Sequence, residues 1–153
     1  MLKIGFWLLV ILFFVIAAAA WIIVRPTLYA RRIERALKLF VRNQQVLEDA
    51  FFKAAASSGK PRGLEWTQVA FQQGVLMARD RANGQLVGLR GVTVGFKAIE
   101  GGGMEEVEAV GNLRAATAVF THDGREWTTQ GRVVFNLEPR EVIERYKDSL
   151  DAI

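Results

Sequence analysis

Cysteine is absent from all 153 residues. That excludes a disulfide scaffold, a thiol nucleophile and a lipidated-cysteine anchor. Histidine is almost as scarce, with His122 alone. A zinc site would have to be built mostly from carboxylates, and zinc prefers nitrogen and sulfur ligands. There is no Gly-x-Ser-x-Gly elbow for a serine nucleophile. Proline is confined to Pro26, Pro61 and Pro139, and each marks a change in the pattern of the chain. No internal repeat or low-complexity tract is present. With the usual catalytic constellations missing, the organisation of the chain carries most of the information.

What is present first is an apolar run. Ile4 to Val24 holds no charge and no proline. As a helix it reaches roughly 31 Å, close to the hydrocarbon thickness of a bilayer. Trp7 and Trp21 lie towards its two ends, where amphipathic rings suit the interface. A cleaved signal peptide is the competing reading, with Ala17 to Ala20 as the cleavage region. Trp21-Ile22-Ile23-Val24 continues the run past that point, which favours an uncleaved anchor.

Behind the run stand Arg25, Arg31, Arg32, Arg35, Lys38 and Arg42, opposed only by Glu34. From residue 43 onward there are thirteen basic and fifteen acidic residues. The sequence pI of about 9.8 therefore reflects a local stripe. This distribution argues against nucleic acid and makes anionic lipid headgroups the expected partner of the stripe. The positive-inside rule places the part after the run in the cytoplasm, with a periplasmic or extracellular location as the alternative.

The expected fold class is α+β. Residues 1–25 form a transmembrane anchor and 26–57 a juxtamembrane long helix belonging to the soluble domain. Residues 58–153 form an antiparallel sheet and a C-terminal helix. Pro26 suits a first helical turn and marks the expected bend at the end of the anchor. Thr27 to Ala56 reads as one helix with Ile33, Leu37, Phe40, Leu47, Phe51 and Ala54 on a seam. The seam predicts packing on a sheet of the same chain, or alternatively self-association. Ser57 to Gly63 breaks the helix, and alternation follows. About five strands are expected: Leu64 to Phe71, Gly74 to Arg79, Leu86 to Ile99, Glu106 to Thr121 and Glu126 to Leu137. They form a curved meander, and Pro139 opens a final helix striped by Val142, Ile143, Tyr146 and Leu150.

Chemistry is sparse along this frame. His122-Asp123-Gly124 reads as a hairpin tip more readily than as an oriented base. Glu100, Glu105, Glu106 and Glu108 flank a triple glycine but lack the spacing of a calcium loop. The triple glycine lacks the Lys-Ser/Thr of a phosphate loop. Trp66, Trp127 and Phe135 are expected to fill the core, or alternatively to line a pocket on the curved sheet. No catalytic residue, metal ligand or cofactor is expected.

The helix followed by a curled meander, over residues 28 to 153, resembles the cystatin-like group of folds, including the NTF2-like proteins. The cystatin inhibitory loop is missing, since Gln72-Gln73-Gly74-Val75 has the wrong order. Neither activity is carried over. Pro61-Arg62-Gly63-Leu64-Glu65-Trp66, Ala78-Arg79-Asp80-Arg81, the stretch Val92 to Phe120 with Ala98 to Val110 at its centre, and Gly131 to Leu137 resemble uncharacterised small membrane-anchored proteins of planctomycete-type bacteria. That resemblance implies a bacterial inner membrane and adds no chemistry. The functional expectation is a single-pass membrane-anchored, non-enzymatic module binding a protein, peptide or small ligand. A self-associating structural protein and a small-pocket NTF2-like enzyme are the alternatives.

Overall fold

The computed structural model describes residues 2–58 and 61–153, with side chains in the first helix from residue 6 onward except residue 8. Lys3 and the start of the apolar run therefore lie outside the described side chains. Gly59 and Lys60, in the middle of the expected joint, lie outside the described residues.

The architecture is α+β. Helix α1 spans Leu2–Arg42 and continues without interruption through Pro26. The helix does not break at that proline, where the sequence suggested a bend. Proline removes one backbone donor, and beside it Thr27 Oγ1 donates to the Val24 carbonyl at 2.7 Å. The real break comes at Asn43, whose φ of −101° and ψ of 14° leave the helical range. Helix α2, Gln44–Ser57, begins there. The single helix expected over 27–56 is thus divided, with its first part continuous with the apolar run. By its internal contacts the chain forms two compact units, one up to Lys38 and one from Leu39 onward.

In the second unit, α2 buries Leu47, Phe51 and Ala55. Their four-residue spacing puts them on one face. They lie with Phe40 against an antiparallel sheet whose spine is the thirteen-residue strand β3, Leu86–Ala98. Strands β1, Leu64–Phe71, and β2, Leu76–Asp80, both pair with β3, end to end along the same edge. Strand β4, Arg114–His122, pairs along the other edge. Beyond β4 come β5, Trp127–Thr128, and β6, Val133–Phe135. A short helix α3, Pro139–Arg145, precedes strand β7, Leu150–Ala152, which pairs with β2.

Seven strands replace the expected five, because one of those expected is split in two and one was missed. The Glu126 to Leu137 strand breaks at Gly131. There φ is +69°, and a β-carbon would stand 2.2 Å from the Ala55 amide nitrogen. The backbone of α2 comes too close for any other residue. The Glu106 to Thr121 strand starts only at Arg114, because Glu108–Gly111 forms a 3₁₀ turn held down by the buried Val110. The last helix stops at Arg145, and Leu150 joins the sheet instead.

Alternation along β3 divides the core in two. Leu86, Val92, Val94 and Phe96 face the helices. An aromatic group forms there, with Phe40 edge-on to Phe120 and Trp127 at 5.2 and 5.1 Å. Phe51 meets Phe71 at 5.6 Å and Trp66 meets Phe96 at 4.9 Å. On the reverse face Val87 and Leu89 join Ala78 and Val142, with Leu76, Val119 and Ile143 at the margin. Helix α3 closes part of that side.

Candidate functional site

The basic stripe is a feature of one helix face. At 100° per residue, Arg25, Arg31, Arg32, Arg35 and Lys38 fall within about 140° of the circumference. All five side chains are exposed. Arg25 lies over the Trp21 ring, 4.4 Å from its centroid. Lys38 Nζ is 2.6 Å from Glu34 Oε1, one turn back. Hydrogen bonding and the charge of Lys38 hold the Glu34 carboxyl below its usual range, with smaller contributions from Arg31 and Arg35. Arg42 is exposed in the last turn of α1.

The expected aromatic pocket is brought together only in part. Trp66 and Phe135 line one cavity of about 660 Å³ with Pro61, Gln130 and Val133. Trp127 does not line it. That ring is buried between Phe40 and His122, 5.0 Å from the imidazole. Trp66 is itself 94% covered, so its role in the core outweighs its share of the cavity wall.

A second cavity, about 340 Å³, opens on the reverse face of the sheet beside α3. Val87, Leu89 and Val119 form its floor, and Val142 and Leu150 its roof. Asp80, Thr121, Arg132 and Tyr146 supply polar groups at the rim. An apolar interior with few polar groups is the usual character of a small-ligand or peptide cleft. The sequence reading missed it, because the cleft depends on α3 ending early and β7 turning back onto β2. The parity of Val87 and Leu89 was the only available signal.

The histidine sits at a turn. Its Nδ1 accepts the Gly124 amide at 3.1 Å. The Asp123 carboxylate accepts the amides of Glu126 and Arg125, at 2.9 and 2.8 Å, which lower its pKa. Each group is occupied by the backbone of the hairpin. Glu105 is likewise held below its usual range by backbone amides, those of Glu105 itself and of Gly101 foremost. Among the described residues no group of three or more acidic or histidine side chains converges as a metal site would require.

A buried ion pair went unseen in the sequence. Arg90, 96% covered, pairs with Glu48 of α2. Its Nε donates to the Gln72 carbonyl at 2.8 Å, and its guanidinium lies 5.0 Å from the Phe71 ring. Gln44 also donates to Glu48, at 2.9 Å. The pair ties α2 to the interruption between β1 and β2. An arginine on the otherwise apolar helix-facing side of β3 was the available clue.

Comparison with protein-family models, curated proteins and solved structures returns no match.

Proposed function

We propose that the chain is a single-pass membrane protein whose α+β domain is a non-enzymatic binding module. The observation that carries the tether is the exposure of α1. Its most apolar window is long enough to cross a bilayer, and none of that window is buried. Phe13 and Ile22, for example, remain 67% and 71% exposed. A soluble protein rarely leaves a contiguous apolar surface of this extent in water, and lipid removes the cost. The cleft beside α3 supports the binding role, with a peptide or small apolar ligand as its occupant. The basic face behind the span supports a cytoplasmic location for the domain.

Alkaline carbonate extraction of membranes expressing the full chain tests the tether. Retention in the pellet at the uncleaved mass of 17.1 kDa is the expected result. Release into the supernatant, or a mature form lacking the apolar run, would overturn it. A carboxyl-terminal tag protected from external protease in spheroplasts, and digested once they are lysed, supports the cytoplasmic orientation. Turnover of a substrate that Asp80→Ala or Glu100→Ala abolishes would overturn the non-enzymatic reading.

A further inference from the structure

The helix spreads the basic stripe behind the span along its axis. Relative to Arg25, the α-carbons of Arg31 and Arg32 rise by roughly 9 and 10.5 Å, Arg35 by about 15 Å and Lys38 by about 20 Å. The headgroup region on one side of a bilayer is only about 5–7 Å thick. A tilt of about 20° shortens these rises by less than a tenth. Helical side chains lean towards the amino terminus, and here that direction is towards the span. Arg31 and Arg32 are thereby brought into reach of the headgroups. Arg35 and Lys38 stay outside.

The charges also differ in their neighbours. Lys38 is paired with Glu34. Arg31 and Arg35 feel Glu34 as well, since both help lower its carboxyl. Arg32 makes no ion pair with any described residue. Arg25 rests on Trp21, a contact that fixes the guanidinium without neutralising it. Trp21, Arg25, Leu28 and Arg32 fall on one row of the helix, at spacings of four, three and four.

The geometry points to a headgroup site for an anionic phospholipid, formed by Arg25 and Arg32 with Arg31 beside them and Trp21 as its apolar floor. The lipid phosphate pairs with the Arg32 guanidinium, Arg25 and Arg31 add positive charge around it, and the acyl chains run down the Trp21 side of the helix. A guanidinium fork suits a phosphate better than an ammonium does. Arg35 and Lys38 take no part. This inference rests on the reading that α1 spans the bilayer.

Electron paramagnetic resonance of the full chain in phosphatidylcholine bilayers tests it. Spin-labelled phosphatidylglycerol is compared with spin-labelled phosphatidylcholine. The expected result is a larger motionally restricted fraction for phosphatidylglycerol, reduced by salt. Arg25→Gln with Arg31→Gln and Arg32→Gln should lower that preference at least fivefold, on the scale of one well-placed cation. Arg35→Gln with Lys38→Gln should leave it within twofold. Equal restriction of both lipids overturns the headgroup site while leaving the span intact. So does an equal loss from the distal pair. No restricted component for either lipid overturns the span and the site together.

Discussion

At the scale of single residues, the ion pair of Arg90 and Glu48 is the most consequential contact the sequence concealed. The two partners are not equally deep, with side-chain exposures of 4% and 18%. Breaking such a pair costs mainly through the charge left behind. Glu48→Ala strands the deeper cation and should destabilise the fold by about 3 kcal/mol or more. Arg90→Met leaves a carboxylate with a path to water, so it should cost less. Replacing both, by Glu48→Leu with Arg90→Met, should recover much of the loss. Denaturant unfolding of the full chain in detergent, followed by tryptophan fluorescence, measures all three. Equal costs for the two single changes would contradict the asymmetry. Gly131 is a second such position, and its strand break could not be inferred from a clean alternation. Gly131→Ala must displace α2 or the strand and should cost about 2–3 kcal/mol.

At the scale of elements, periodicity located nearly every segment but not its ends. Strands β3 and β4 are covered on two sides, so their apolar residues run nearly continuously, and the length of those runs made them readable. The ends depended on contacts made far along the chain. Strand β7 is the clearest case, since Leu150 extends the stripe of α3 in sequence yet pairs with Asp80 in the sheet. What holds β7 is electrostatic as well as hydrogen-bonded. Asp151 accepts from Arg79 at 2.8 Å and lies 2.7 Å from Arg81. Arg79, then Arg81, holds its carboxyl below the usual range. A depressed carboxylate stabilises the fold above its unfolded value, about 3.9, and loses that contribution as pH falls through the folded one. Amide exchange in β7 and β2 should therefore accelerate selectively below about pH 4. Asp151→Asn should make that exchange faster at neutral pH and flatten its acid dependence. An unchanged profile in the variant would show that backbone pairing alone retains the strand.

At the scale of the whole molecule, the sequence was most legible where one physical requirement dominated. An uninterrupted apolar run needs no tertiary partner to be recognised. The α3-side cleft was far less legible, because it combines residues from β2, β3, β4, α3 and β7. The proposed span also yields a quantitative expectation. Residues 4–24 contain fourteen Leu, Ile, Phe and Val side chains. At about −0.3 to −0.6 kcal/mol each for insertion, they supply roughly −4 to −8 kcal/mol. One arginine at the helix centre opposes this with about +2.5 to +3.5 kcal/mol. Phe14→Arg alone should therefore leave most of the chain resistant to carbonate extraction. Phe13→Arg together with Ile16→Arg brings the sum near zero and should release a large fraction. A steep loss between one and two central charges identifies lipid as the medium around α1. If the double variant stays fully membrane-bound, something other than the apolar surface of α1 holds the protein there.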